Sequence, residues 1–147
     1  MPVSFARHRG FTLVELMVAV VVAGILSSVA LPTFESQLQQ SRRTDVLIAT
    51  IAVQAAQERF RSNATAYGGL AEIGVSAVSA AKHYSLEITA SDADGFELVA
   101  VATGVQSRDL RCRHMKLTAD KMNLTHASGP DATFANTAAA NQKCWSL

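Results

Sequence analysis

Arg9-Gly10-Phe11-Thr12-Leu13-Val14-Glu15-Leu16 joins a short basic leader to an apolar stretch that runs on to Leu31, with one acid near the start of that stretch. A carboxylate this far into a membrane-length apolar run is costly to bury, so it calls for a partner or a function, and the run itself offers neither. Upstream, residues 1–10 hold Arg7, His8 and Arg9 and no acid. Positive charge on this flank keeps that end in the cytoplasm and sends the C-terminal part across the membrane. A secretory signal peptide has a similar outline, but its apolar core is shorter and a small-residue cleavage site follows it. Here the run from Leu16 to Leu31 continues into Pro32-Thr33-Phe34-Glu35-Ser36-Gln37. With Phe11 to Leu13 included, it reaches the roughly 20 residues that cross a bilayer. The segment is therefore expected to stay in the mature protein.

Gly10-Phe11-Thr12-Leu13-Val14-Glu15 after a short basic leader resembles the prepilin signature of class III signal sequences, which type IV pilins and type II secretion pseudopilins share. Gly24 and Pro32 sit where type IV pilins often carry helix-weakening residues, and Ser41-Arg42-Arg43 with Asp45 resembles the segment just beyond the membrane part. Val14 stands where Leu or Ile is commoner. The resemblance implies that a prepilin peptidase cuts after Gly10 and methylates the new amine of Phe11. It also implies a single-pass inner-membrane subunit, cytoplasmic at its N-terminus and periplasmic at its head, which later joins a pilus through contacts with other pilin subunits.

Cleavage at that point gives Glu15 a mechanism. It removes the basic leader and creates an amine close to the carboxylate. A carboxylate buried in an apolar bundle is destabilised unless a cation meets it, and the Phe11 amine of a neighbouring subunit would supply one. Glu15 is then an assembly residue, and the pair sets axial register. The bland alternative is an acid that snorkels to the interface.

The rest of the chain predicts a continuing helix and a separate head. Gly24 and Pro32 weaken the helix locally, with a kink or unwound segment expected near Pro32. Residues 11–33 form the transmembrane and assembly part. Residues 34–62 contain no glycine or proline and predict an amphipathic continuation. Thr50, Gln54, Gln57 and Arg61 make one narrow polar stripe, with Ile48, Ile51, Ala52, Val53, Ala55, Ala56 and Phe60 around most of the remainder. So little polar surface implies burial on more than one side, one under a sheet and another against neighbouring copies.

Residues 63–147 read as the head. Residues 63–82 make an ordered loop anchored by Tyr67, Leu70, Ile73 and Val75, with a short helix expected near Val75 to Ala81. Tyr84 to Ala90 alternates as a strand, Asp92 to Gly95 turns, and Phe96 to Thr103 completes a hairpin. Arg111 to Thr118 and Met122 to His126 add two more strands. The expected class is α+β, a long N-terminal helix with an apolar first half packed on a four-stranded antiparallel sheet. This order also resembles the type IV pilin head. Cys112 and Cys144 form one disulfide if this part is exported, or two buried thiols in a reducing compartment. A bridge would resemble the disulfide-bounded C-terminal region of pilins, and the Cys144-Trp145 ending resembles minor pilins of the PilE type.

Composition excludes more than it assigns. Losing the leader removes two of the 13 basic side chains, leaving 11 against 12 acidic, so global charge argues for no nucleic acid or acidic substrate. No catalytic set or cofactor motif stands out. His83, His114 and His126 are scattered, Cys112-Arg113-His114 falls short of a zinc site, and Asp92, Asp94 and Asp131 suit turns better than calcium. Asn63-Ala64-Thr65 and Asn123-Leu124-Thr125 match a glycosylation triplet that carries no special meaning in a bacterial setting. Arg108, Arg111, Arg113, His114 and Lys116 form a local basic cluster that would touch DNA phosphates in an uptake pilus. Without interleaved aromatic residues, charge on a solvated strand is the preferred reading. The sequence thus points to a structural, non-enzymatic pilus subunit, a minor pilin serving assembly, adhesion, twitching motility or DNA uptake. A type II secretion pseudopilin and a DNA-binding pilin for natural transformation are the alternatives.

Overall fold

A computed structural model describes residues 11–146, the side chain of Pro32 excepted. The leader, and with it the cleavage position Gly10, lies outside the described residues. Helix α1 spans Leu13–Arg61, followed by strands β1 (Tyr84–Ser91), β2 (Gly95–Ala102), β3 (His114–Asp120) and β4 (Asn123–Gly129), and by helix α2 (Ala138–Trp145). A 3-10 turn, Gly104–Arg108, lies between β2 and β3. Helical structure is assigned without a break through Gly24 and position 32. The chain divides into two units, one ending at Ser36 and the other beginning at Gln37.

Within the first unit the side chains of the apolar run are exposed, Phe11 at 81% and Val20 at 70% among them. Such a helix is long and apolar enough to cross a membrane.

In the second unit, the head, helix α1 turns its polar stripe inward. Thr50 and Gln57 are buried, whereas Ile48 and Ile51 are 59% and 64% exposed, and Ala52 and Ala55 are exposed beside them. Burying polar groups is tolerable only when each is satisfied, and both are. The Thr50 hydroxyl donates to the Val46 carbonyl at 2.8 Å. Gln57 Nε2 donates to the Gly68 carbonyl at 2.7 Å while Oε1 accepts from the Gly68 amide at 3.0 Å. That pair pins the residue 63–82 loop to the helix. Val46, Ala49, Val53 and Ala56, at helical spacing, share this inner face. The first three join Leu86, Phe96, Leu98, Ala100, Met115 and Leu117 of the sheet in one core.

The sheet runs β1-β2-β3-β4, every neighbour antiparallel. Gly95 opens β2 where a Cβ would come 1.9 Å from the Ala119 carbonyl oxygen, so the close β2–β3 approach requires glycine. Each sheet edge is covered at one end, which shortens the free strand open to pairing with other chains. Val78 bridges to Ser85 on the β1 edge. On the β4 edge Ala135 bridges to Ser128, Asn141 Nδ2 donates to the His126 carbonyl at 2.7 Å, and Trp145 Nε1 donates to the Ala127 carbonyl at 3.0 Å.

Several expectations need correction. Val75 to Ala81 is not a helix, because Asp45 organises its end. The Asp45 carboxylate accepts from the Ser79 hydroxyl and from the Ala81 and His83 amides. Burial pushes that carboxyl up, yet these three donors more than offset it and hold it below the ordinary Asp range. Strand β3 starts at His114 and not Arg111, since Asp109 is drawn into the interior and the chain curls before pairing begins. The C-terminal segment without periodicity contains α2, whose N-cap Thr137 accepts from the Ala140 amide. Only Cys144 and Trp145 of that helix are buried, too few to write a pattern.

Candidate functional site

Two places carry chemistry. At the start of α1, Thr12 and Glu15 form a reciprocal cap. The Thr12 amide and hydroxyl both donate to Glu15 Oε2 at 2.9 Å, and the Glu15 amide donates back to the Thr12 hydroxyl at 3.2 Å. This is a capping box, threonine followed three residues later by glutamate. Glu15 therefore does have a partner inside its own segment, contrary to the sequence reading. The Thr-x-x-Glu spacing was the signal that could have revealed it. The box fixes where the helix begins, at Leu13 just after the cap Thr12, and holds the carboxylate next to it. Glu15 remains exposed, so its charge is available to another molecule.

The second place is the end of the head where the chain enters it. Arg43 of α1 reaches Asp109 through two contacts, Nε to Oδ2 at 2.7 Å and Nη2 to Oδ1 at 3.0 Å, with both residues buried. Its Nη1 donates to the Lys143 carbonyl at 3.2 Å, so one guanidinium ties α1, the 104–113 segment and α2 together. Buried Gln106 donates from Nε2 to the Gln39 carbonyl, the Tyr84 hydroxyl and Asp109. Burial pushes the Tyr84 hydroxyl up to about 12, keeping it neutral and able to accept. Cys112 and Cys144 are bonded as a disulfide, which sets Lys143 beside the Arg111–Arg113 segment.

This network rearranges the basic cluster. Only His114 and Lys116 lie on a strand; Arg108 ends the 3-10 turn, and Arg111 and Arg113 precede β3. Lys116 is paired with Glu97 at 3.1 Å and sits 4.9 Å from the Phe134 ring, so it is engaged on the outer sheet face. Arg113 Nε donates to the Ser107 carbonyl at 2.9 Å. Arg108 and Arg111 are exposed. Lys143 and Lys82, also exposed, join them from elsewhere in the chain, the latter because Thr103 bonds the Lys82 and His83 carbonyls. Asp109, the acid inside the cluster, is spent on Arg43. What results is a positively charged end whose exposed cations are suited to phosphates. Among the described residues no group of three or more His, Cys, Asp or Glu could hold a metal ion.

An apolar helix left uncovered in one unit and apolar on its outer face in the next is built to be buried by other molecules. Joined to a four-stranded sheet with a disulfide-clasped C-terminal segment, it defines a pilin-type subunit. Comparison with known sequences makes this specific. The chain belongs to the family described as type IV minor pilin ComP, DNA uptake sequence receptor, whose model matches residues 32–116, more than half its length. The prokaryotic N-terminal methylation motif matches residues 5–31. Among curated relatives, the type IV major pilin protein PilA of Myxococcus xanthus is 35% identical over 89 residues, 60% of this chain and 40% of the relative. The type II secretion system core protein G of Klebsiella pneumoniae is 33% identical over 61 residues, 42% and 44% of the two chains. Fimbrial protein Q of Moraxella bovis is 40% identical over 40 residues, 27% and 26% of the two. The chain thus spans less than half the length of each of these relatives.

Proposed function

We propose that this chain is a minor subunit of a type IV pilus whose head captures DNA during uptake through the basic end built by residues 104–113, Lys82 and Lys143. The observation that carries the reading is the match to a DNA uptake receptor family across residues 32–116, a span that contains this whole loop. Physical chemistry agrees. Exposed guanidinium and ammonium groups release counterions from DNA when they meet phosphates, a contribution that needs no base contacts. Processing and assembly complete the proposal. A prepilin peptidase cuts after Gly10 and methylates Phe11; before assembly the subunit spans the inner membrane once, N-terminus in the cytoplasm and head in the periplasm. Glu15 then exchanges part of its capping role for the Phe11 amine of a neighbour, while the outward Ile48, Ile51, Ala52 and Ala55 meet other subunits. Gly24 and Pro32 leave the helix soft enough to adjust during that packing.

A gel shift with the full chain in neutral detergent tests the DNA reading. Arg108→Ala/Arg111→Ala is expected to weaken duplex binding and to lower the slope of log affinity against log salt by about 0.9 for each lost phosphate contact. Arg59→Ala/Lys121→Ala, at the opposite end of the head, leaves both unchanged. Equal binding by the two double variants, or no binding by the parent chain at low salt, contradicts the proposal.

A further inference from the structure

The basic end carries a feature that phosphate binding does not use. Val105 and Leu110 are 53% and 58% exposed, one inside the 3-10 turn and the other just beyond it, interleaved with Arg108 and Arg111. Their neighbours Gln106 and Asp109 point inward to the Arg43 network, and that inward pair forces Val105 and Leu110 outward. Basic side chains alternating with exposed aliphatic ones are the composition of a surface that lies on a bilayer, aliphatic groups in the acyl boundary and cations among the headgroups. Around this segment stand Lys82, Arg113 and Lys143. The head carboxylates at this end are Asp45, Asp109 and Asp131; Arg43 neutralises Asp109, while Asp45 and Asp131 accept only from neutral donors and keep their charge. The exposed cations still outnumber these two carboxylates, so the surface is net positive.

This end also lies close in sequence to the apolar run. Gln39 and Arg43, which bond Gln106 and Asp109, follow the apolar run by only a few residues of sequence. The opposite end of the sheet, with the Asp92 and Asp94 turn and Asp120, has no such tether.

We infer that the 104–113 segment is a membrane-contact surface that docks on anionic phospholipid headgroups while the subunit is still anchored in the bilayer. Val105 and Leu110 enter the interface, and Arg108 and Arg111 meet the phosphates. Where the DNA reading above holds, the same contact hides the DNA surface until the subunit leaves the membrane. The lipid contact itself does not depend on that reading.

The full chain in vesicles tests it. Leu110→Trp and Met122→Trp are placed in vesicles of phosphatidylcholine brominated near the headgroup, with or without phosphatidylglycerol. Met122 is wholly exposed at the β3–β4 turn, so its replacement serves as a matched control, and Trp145 contributes the same background to both. The expected result is bromine quenching of the Leu110→Trp indole that appears with phosphatidylglycerol, fades at high salt, and is lost on adding Arg108→Glu/Arg111→Glu. Each basic side chain near an anionic surface contributes about fivefold in affinity. Quenching that is the same in both lipid compositions, or the same for Leu110→Trp and Met122→Trp, overturns the proposal. Duplex DNA binding measured on the same vesicles separates the two claims. Failure to bind DNA in neutral vesicles removes the DNA reading and leaves the quenching result standing by itself.

Discussion

Glu15→Ala leaves the chain in the membrane fraction and removes it from filaments, by roughly tenfold or more relative to the parent, a change worth about 1.4 kcal/mol in assembly. Insertion depends on about 20 apolar residues, and losing a carboxylate makes that run more apolar. Assembly is different, because an apolar bundle of helices admits a carboxylate only if a cation meets it. Two roles of Glu15 must be told apart. Its cap on Thr12 is a local contribution to the start of the helix. Its charge is what a neighbour's Phe11 amine would recognise. Glu15→Gln separates them, since glutamine serves in a capping box but carries no charge. The expected outcome is a helix start that survives in Glu15→Gln and filament incorporation that is lost in both variants. Normal incorporation of Glu15→Gln would assign Glu15 to the cap alone.

Asp109→Ala is expected to cost the head about 3–5 kcal/mol, the usual penalty for leaving a buried charge without its partner. Arg43 would keep its place in the interior with only the Lys143 carbonyl to receive it. Gln106 would lose one acceptor as well, and its Oε1 already lacks a hydrogen-bond partner. The network has no slack to absorb the change. Arg43→Leu/Asp109→Leu should recover most of the loss, because apolar groups of similar size need no partner. Denaturant midpoints of the full chain in detergent, at unchanged slope, measure both. A cost below about 1 kcal/mol for Asp109→Ala would show that the guanidinium escapes to water, against the burial seen here.

The architecture was legible because its signals are local. The run from Phe11 to Leu31, the glycine-free stretch after Phe34 and the alternation from Tyr84 to Ala90 each state their own structure. The two cysteines were legible for a simpler reason, since two thiols allow one pairing. What could not be read was facing. Thr50 and Gln57 look like a solvent stripe, yet their hydrogen bonds close on Val46 and Gly68, so they go inside and Ile48 and Ile51 stay outside. Periodicity gives the width of a face, not which side the core takes.

The basic end was only half visible for the same reason. Arg108, Arg111 and Arg113 are adjacent in sequence, but Lys82 and Lys143 arrive through a Thr103 contact and a disulfide. Nor did the pattern show that Asp109 would be consumed by Arg43, 66 residues away, leaving its neighbours unneutralised. The Thr12 to Glu15 box is written in the Thr-x-x-Glu spacing, while an acid within an apolar run also calls for a partner from outside it. The cap and the proposed assembly contact of Glu15 lie at the same end of the helix, and cleavage after Gly10 is what would let the second begin.

Processing and assembly therefore stand as one claim, and the intact mass of the subunit recovered from purified filaments tests it most directly. The account predicts a chain that begins at Phe11, carries one added methyl group on its amine, and keeps Cys112 and Cys144 joined. A filament subunit whose mass retains residues 1–10 would contradict it.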